Sequence, residues 1–211
     1  MIRIVIADDH TIVREGLKQL LAAAGDLNVV GEARDGQEVM QQVRDNDFDV
    51  LLLDMSMPGK SGVELIKQVK AEKPKLRILV LTMHEEHQYA VRAIRAGASG
   101  YLTKESASRQ LVEALRKVAG GGAFISAEVA QQLALGAMPD AKGPPHAALS
   151  DREFQIFRMI ADGLSVTDIA GRLNLSVKTV STHKSNILQK MNLTTQGELI
   201  RYAITNNLVE R

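Results

Sequence analysis

The chain has 211 residues, no cysteine and a formal net charge of +1. This length suits one large domain or two small ones, and the lack of cysteine excludes disulfides and thiolate metal sites. The N-terminus, MIRIVIADDH, becomes acidic after a few apolar residues, so it is a predicted strand and not a signal peptide. No apolar run has membrane-spanning length. We expect a cytoplasmic protein with no membrane partner, and the 3 % content of aromatic residues predicts an aliphatic core.

Short apolar runs alternate with stretches of helical periodicity over the first part of the chain. The runs are residues 2–7, 27–31, 50–53, 77–82 and 99–103. Between the first two runs, Ile12, Leu17 and Leu21 recur at helical spacing. This alternation predicts an α/β fold with a doubly wound five-stranded parallel sheet, covered by helices on both faces. Ligands of such folds bind at the carboxyl ends of the strands, near the point where the strand order reverses.

The composition changes after three consecutive glycines at 120–122. The sequence pattern of residues 126–135 predicts one more short helix. The stretch GAMPDAKGPPHAA that follows has no apolar periodicity and is typical of a mobile linker. We therefore divide the chain into a first domain at 1–122, a linker with a short helix at 123–148 and a second domain at 149–211.

The second domain has a purely helical pattern. Ser150 and Glu153 form the S-x-x-E capping box that opens its first helix. Three more helices are predicted, over 165–173, 176–191 and 195–206, and the tight turn before the third of the four indicates a helix-turn-helix module. The last helix offers four apolar or aromatic side chains for core packing or for a dimer contact: Leu199, Tyr202, Ala203 and Ile204.

The third helix of this domain has the features of a DNA-binding helix. No Asp or Glu occurs from Ile169 to Gly197, although several lysines do, and such a positive field attracts a polyanion; a solvated helix surface would carry the same charge. Val180, Ile187 and Met191 form one stripe that should face the core. The opposite face is small, polar and basic, which suits the major groove. The candidate DNA-binding residues are Ser176, Lys178, Thr179, Ser181, Thr182, Lys184 and Ser185.

These candidates suit different parts of duplex DNA. Lys178 can reach a guanine edge or a phosphate, and the short side chains of Ser181, Thr182 and Ser185 can contact bases directly or through water. The two hydroxyl residues at the helix start suit phosphates, because a helix N-terminus favours anions. Lys184 lies near the core stripe, from which its amine can extend to a backbone phosphate.

Five side chains of complementary chemistry follow the predicted strands. Asp8 and Asp9 come after the first strand, Asp54 after the third, Thr82 ends the fourth and Lys104 follows the fifth. Parallel strands bring all five to one end of the sheet. Three carboxylates this close repel one another unless a cation lies among them, and an all-oxygen site that also takes phosphate favours Mg²⁺. Asp54 could then attack a phosphoryl donor and become an aspartyl phosphate, with Lys104 and Thr82 as partners of the phosphoryl oxygens.

Two segments resemble known modules. The D-D pair, the D followed by MPG, the T and the Y-L-x-K at successive strand ends resemble the CheY-like receiver domain of bacterial two-component response regulators. The segment LSDREFQIFRMIADGLSVTDIAGRLNLSVKTVSTHKSNILQKM resembles the LuxR-type helix-turn-helix domain. Together they cover nearly the whole chain and resemble the NarL/FixJ family of transcription regulators.

The resemblance implies specific roles for residues of this chain. It makes Asp54 the phosphoacceptor for a sensor histidine kinase, and it assigns Mg²⁺ to Asp8, Asp9, Asp54 and the carbonyl of Ser56. Thr82 and Tyr101 match positions that move when the family switches, and Lys104 matches its lysine. The resemblance also implies a homodimer when activated, binding to double-stranded DNA and no enzymatic activity beyond slow self-dephosphorylation.

Other interpretations remain open at this point. A phosphatase with an aspartyl nucleophile would use the same carboxylates and Mg²⁺, although the residue two positions after Asp54 is Ser56 and not a second carboxylate. A receiver that acts through protein contacts alone is a third possibility. Either of the first two aspartates could simply cap a helix, and His10 and His84 are interpreted as loop residues and not as ligands.

Overall fold

A computed structural model describes most of the chain and divides it into two compact units. We call Met1–Ala134 the sheet unit and Leu135–Arg211 the helical unit. The domain limits drawn from the sequence stay a prediction. The described residues are 1–57, 62–83, 87–135, 144–206 and 208. Residues 58–61, His84 and residues 136–143 of the predicted linker lie outside the described residues.

The sheet unit contains the predicted five-stranded parallel sheet. Its strands lie in the order β2-β1-β3-β4-β5, and every pairing of neighbours is parallel. The strands are β1 (Ile2–Ala7), β2 (Leu27–Ala33), β3 (Val50–Asp54), β4 (Arg77–Thr82) and β5 (Gly100–Thr103). The helices are α1 (Thr11–Ala22), α2 (Gly36–Asp45), α3 (Gly62–Glu72), α4 (His87–Arg95), α5 (Lys104–Ala119) and α6 (Ala127–Leu135).

Two apolar layers cover the faces of the sheet. The central strands are buried on both sides, so alternate residues such as Leu51 and Leu52 enter opposite layers. One layer includes side chains from α2, α3, α4 and α6, and the other includes side chains from α1 and α5. The strand order reverses between β1 and β3, which places a crevice beyond their carboxyl ends.

Helix α1 departs from the predicted apolar stripe at its start. Ile12 is 88 % exposed, so its placement on the core face is wrong. The buried residues of this helix are Arg14, Leu17 and Leu21, which share the i, i+3, i+7 spacing of one face. A cation therefore occupies the first buried position of α1.

The segment after α5 adds to the outer edge of the sheet. Phe124 bridges to Gly100 in a parallel sense; its N–H donates to the Ser99 carbonyl at 3.1 Å and its carbonyl accepts from the Tyr101 N–H at 2.8 Å. Val129 of α6 is buried in the same apolar cluster as Tyr101. Residues 124–129 thus pack as part of the sheet unit.

The described residues of the helical unit form four α-helices, preceded by the 3₁₀ turn Pro145–Ala148. The helices are α7 (Asp151–Ala161), α8 (Val166–Leu173), α9 (Val177–Lys190) and α10 (Gln196–Thr205). The predicted capping box of Ser150 and Glu153 is confirmed, and α8 and α10 have capping boxes as well. Asn174 ends α8 with φ +52°, the left-handed conformation that allows the tight turn into α9.

The core of the helical unit is partly aromatic. Phe154 and Phe157 are fully buried, with ring centroids 5.9 Å apart, and Tyr202 packs edge-on to Phe157. His146 of the 3₁₀ turn is buried beside them, and its Nδ1 lies 2.7 Å from the Tyr202 hydroxyl. The prediction of an aliphatic core is therefore wrong for this unit, because its three aromatic residues, Phe154, Phe157 and Tyr202, pack together there. Within the described part of the chain, no helix combines the length and apolarity needed to cross a membrane.

Candidate functional site

The acidic cluster lies at the crevice between β1 and β3. Asp8 follows β1 and Asp54 is the last residue of β3, and the side chain of each is only 2 % exposed. Asp9 is more open, with 32 % of its side chain exposed. Neighbouring parallel strands bring these carboxylates together although 46 positions separate Asp8 from Asp54 in the sequence (54 − 8). The structure thus assembles the three predicted acidic residues at one strand end.

Lys104 connects the two buried carboxylates. Its Nζ donates to Asp8 Oδ2 at 2.7 Å and to Asp54 Oδ2 at 2.9 Å. The second oxygen of each carboxylate accepts from a backbone N–H, that of His10 for Asp8 at 2.8 Å and that of Ser56 for Asp54 at 3.1 Å. The first residue of α5, directly after the fifth strand, therefore supplies the cation that the two buried acids require.

The pKa shifts of Asp54 and Lys104 describe the charge balance of the site. Burial raises the pKa of the Asp54 carboxyl above its ordinary value of 3.8; the bond to Lys104 opposes this rise and the charge of Asp8 adds to it. Burial alone would lower the pKa of Lys104, but its ion pairs with Asp54 and Asp8 outweigh burial and raise the pKa. A single ammonium group therefore does not fully compensate the negative charge at Asp54.

The donor set fits a hard cation. Ligand atoms of Asp8, Asp9, His10 and Asp54 all lie within 4.8 Å of one another. Carboxylate oxygens are the ligands that Mg²⁺ and Ca²⁺ prefer. His10 was interpreted from the sequence as a bystander, yet its Nδ1 lies 3.2 Å from Asp8 Oδ1 and 3.1 Å from Asp9 Oδ1. The cluster can hold a metal ion, with His10 at its exposed rim.

Asparagine at position 54 is expected to stabilise the metal-free protein at neutral pH by about 1 kcal/mol, a typical gain when a functional site is relieved of strain. Because the folded state raises the pKa of Asp54, ionising this group costs folding free energy. The cost is complete above the folded pKa and disappears as the pH falls toward the ordinary value of 3.8. Calorimetry in EDTA should therefore find a higher melting temperature for Asp54→Asn at pH 7 and a smaller difference toward pH 4.

Asp47→Asn serves as the matched control for this comparison. The Asp47 side chain is 92 % exposed and makes only a surface ion pair with Lys73, so its substitution should change the melting temperature little at both pH values. A gain at Asp54→Asn that stays constant across the pH range would contradict the assignment of the gain to the ionised carboxylate.

The two candidate switch residues lie side by side. Thr82 ends β4 with no exposed surface, and Tyr101 of β5 is 9 % exposed. The phenol of Tyr101 hydrogen-bonds the Thr82 side chain, and burial raises the pKa of Tyr101. A movement of the Thr82 hydroxyl would therefore break or redirect the hydrogen bond of the Tyr101 phenol.

Helix α9 presents the faces that its sequence predicts. Val180, Ile187 and Met191 are buried, which confirms the core stripe. Six of the seven candidate DNA-binding residues are exposed, all except Lys184, which is half-buried. The exposed candidates are Ser176, Lys178, Thr179, Ser181, Thr182 and Ser185.

Two hydroxyls on this face donate hydrogen bonds to backbone carbonyls of α9 itself. The Thr182 hydroxyl donates to the carbonyl of Lys178 at 3.0 Å, and that of Ser185 donates to Ser181 at 3.1 Å. Both residues are exposed, and a hydroxyl oxygen that donates its hydrogen can still accept one from a base amino group. Lys184 donates to the side chain of Gln196 at 2.7 Å, a partner that its sequence position did not indicate.

Sequence reasoning also missed Arg14, which contacts the backbone of Asp8 at the acidic cluster. A signal was present, because Arg14 shares the spacing of Leu17 and Leu21 on the buried face of α1. In the last helix, Leu199 and Ala203 belong to the core, whereas Ile204 is 44 % exposed.

Comparison with known proteins identifies both units. Residues 4–116 match the family described as response regulator receiver domain, and residues 147–203 match the family described as bacterial regulatory proteins, luxR family. The response regulator UvrY of Escherichia coli (strain K12) is 38 % identical over 209 residues, which cover 99 % of this chain and 96 % of UvrY.

Solved structures give the same assignment. A structure of the response regulator RcsB from Salmonella typhimurium matches with a TM-score of 0.75 at 31 % identity and covers 97 % of both chains. RcsB bound to a promoter in the presence of the phosphomimetic BeF₃⁻ matches with a TM-score of 0.69 at 31 % identity, over 95 % of this chain and 97 % of RcsB. The chain therefore belongs to the NarL/FixJ family and is a DNA-binding two-component response regulator with a receiver domain and a LuxR-type helix-turn-helix domain.

Proposed function

We propose that Asp54 is the phosphoacceptor of this regulator and that a sensor histidine kinase supplies the phosphoryl group. One observation carries the proposal. Lys104 bridges two nearly buried carboxylates, those of Asp8 and Asp54, at the crevice where the strand order reverses. Such a cluster is costly for stability, because it places like charges together out of water. The cost is explained if the cluster serves to bind a phosphoryl group.

The chemistry follows from the position of each side chain. An oxygen of Asp54 attacks the phosphorus of the donor, a new P–O bond forms, and the bond to the donor breaks with its electron pair leaving on the donor. Lys104 lies close enough to neutralise charge on the phosphoryl oxygens while it stays paired with Asp8. No general acid or second substrate is required for this single transfer.

Mg²⁺ is the proposed cofactor. Carboxylates of Asp8, Asp9 and Asp54 and the carbonyl of Ser56 would hold the ion, and when bound it supplies positive charge to the phosphoryl oxygens. The support is the all-oxygen chemistry of the three acids and the incomplete compensation of Asp54 by Lys104.

Thr82 and Tyr101 are proposed to transmit the phosphorylation state. A phosphoryl oxygen on Asp54 would accept from the Thr82 hydroxyl, which now bonds the Tyr101 phenol. Redirecting that hydroxyl changes the partner of Tyr101 at the outer strand of the sheet. The state of Asp54 thereby reaches the surface formed by β5 and α6 through two side chains.

Helix α9 is the proposed DNA-reading element, because its polar face is exposed and the sequence from Ile169 to Gly197 has no Asp or Glu. Activation is proposed to favour a homodimer that places two α9 helices on neighbouring half-sites of double-stranded DNA. The exposed Ile204 of α10 is a candidate contact in that dimer. A kinase and chromosomal DNA are both cytoplasmic partners in bacteria, so we propose that the protein acts in the cytoplasm. Because it only receives a phosphoryl group on Asp54, we propose that it is a phosphoacceptor and not an enzyme.

Intact-mass measurement after incubation with Mg²⁺ and acetyl phosphate tests the phosphoacceptor. Wild type and the exposed control Asp47→Asn should each gain one phosphoryl group, and Asp54→Asn should gain none. The gain should be reversed by hydroxylamine, which cleaves acyl phosphates and leaves phosphate esters of serine intact.

Equal labelling of Asp54→Asn and wild type would refute Asp54 as the acceptor. Measuring the inorganic phosphate released in the same samples separates the competing enzyme hypothesis. Release of many equivalents per protein from a small phosphate ester would indicate a phosphatase instead.

A further inference from the structure

Arg14 is a buried cation that the proposed phosphotransfer does not use. It lies in the first turns of α1 and is only 3 % exposed, at a position of the helix where an apolar residue would be expected. Burying a guanidinium group is unfavourable unless its N–H groups find acceptors. The partners of Arg14 therefore indicate what its burial achieves.

The guanidinium group joins three elements at one point. Its Nη1 donates to the backbone carbonyl of Asp8 at 2.7 Å, its Nε to Glu32 Oε2 at 3.0 Å and its Nη2 to Thr11 Oγ1 at 3.3 Å. Glu32 lies on β2 and also accepts from Lys18 at 2.7 Å. Arg14 thus links the neighbouring strand and the start of α1 to the residue that follows β1.

The contact with Asp8 falls on the short connection that carries two of the three acidic residues of the site. Only residues 8–10 join β1 to α1, and two of the three carry carboxylates that face Asp54. Repulsion among the three acids would push this connection away from β3. A fixed bond to the Asp8 carbonyl opposes that movement, because the planar guanidinium fork holds several acceptors in one geometry.

We propose that Arg14 is a positioning residue, which sets the Asp8-Asp9 backbone so that its carboxylates converge with Asp54 in the arrangement that Mg²⁺ requires. This inference rests on the proposed Mg²⁺ site. Mg²⁺ demands near-ideal octahedral geometry, whereas Ca²⁺ accepts looser and more variable coordination. Loss of positioning should therefore weaken Mg²⁺ more than Ca²⁺, while partial unfolding would weaken both equally.

Isothermal titration of the unphosphorylated full chain with MgCl₂ and with CaCl₂ tests the proposal. We expect Arg14→Met to weaken Mg²⁺ binding by about ten- to hundredfold, the usual effect of losing a residue that orients a metal ligand. Arg14→Lys keeps the charge but not the fork, so it should also lower the ratio of Mg²⁺ to Ca²⁺ affinity. Lys18→Met is the matched control, because Lys18 shares Glu32 with Arg14 but pairs with Glu15 and Glu32 and not with Asp8.

The outcomes separate the inference from the site on which it rests. Failure of wild type to bind Mg²⁺ would overturn the metal site itself. Mg²⁺ binding by wild type that both Arg14 variants retain, or an equal loss for Mg²⁺ and Ca²⁺, would overturn positioning alone. Circular dichroism in EDTA establishes whether each variant is folded. If Arg14→Met does not fold, Arg14→Lys still tests the proposal.

Discussion

Replacing Phe157 with alanine is expected to destabilise the helical unit by about 4 kcal/mol. The Phe157 ring has no exposed surface, and its centroid lies 5.9 Å from that of Phe154 and 6.5 Å from that of Tyr202. Alanine would leave a cavity among the buried side chains of these helices, which relax only partly to fill it. A loss of this size is a large part of the total stability of a small unit.

Urea unfolding of the full chain, followed by circular dichroism, measures this effect. Phe157→Leu is the matched control, because leucine keeps much of the volume and should lose less than half as much free energy. A loss under about 1 kcal/mol for Phe157→Ala would mean that neighbouring side chains refill the space, and it would contradict a core organised around these rings.

Glutamate at position 182 is expected to weaken DNA binding at least a hundredfold. Thr182 is exposed on the polar face of α9, and a carboxylate there would meet the phosphates of any duplex in the groove. Like-charge contacts of this kind cost several kcal/mol, and about 3 kcal/mol corresponds to a hundredfold change in affinity. Folding should be retained, since glutamate favours the helix more than a β-branched threonine does.

Fluorescence anisotropy with duplexes selected by wild type from a random-sequence library measures the change. Gln19→Glu makes the same change in net charge on an exposed position of α1 and should leave the affinity within twofold. Thr182→Val removes only the hydroxyl and should cost less than tenfold. Retained affinity in Thr182→Glu would refute α9 as the DNA-reading helix, and a penalty that shrinks with added salt would support phosphate repulsion as its cause.

The sheet unit was predictable because its strands and its site obey strong local rules. Apolar runs such as Ile2–Ala7 and Arg77–Thr82 are buried strands with the predicted bounds. Polar residues directly after such runs must gather at the carboxyl end of a parallel sheet, so Asp8, Asp54 and Lys104 could be placed together before any coordinates. In the helical unit, capping signals such as Ser150 marked the helix starts in the same way.

What could not be predicted depends on contacts between distant segments. The helical spacing places Arg14 on the face of Leu17 and Leu21, but its bond to Glu32 depends on the position of the neighbouring strand, which periodicity alone does not encode. The aromatic core of the helical unit depends on helix packing that brings Phe154, Phe157 and Tyr202 together, which composition does not reveal. The bond from Lys184 to Gln196 likewise depends on how α9 and α10 pack.

The Phe124 bridge has a practical consequence for work on the sheet unit alone. An edge strand with free backbone N–H and C=O groups invites pairing with the same edge of another molecule. A chain shortened to end at residue 122 would strip the partners from the Ser99 carbonyl and the Tyr101 N–H and would uncover the apolar surface under Val129. Such a fragment should associate through its strand edges and mimic a regulated dimer. A fragment that runs through residue 135 keeps its own edge covered, so any self-association it retains can be attributed to other surfaces.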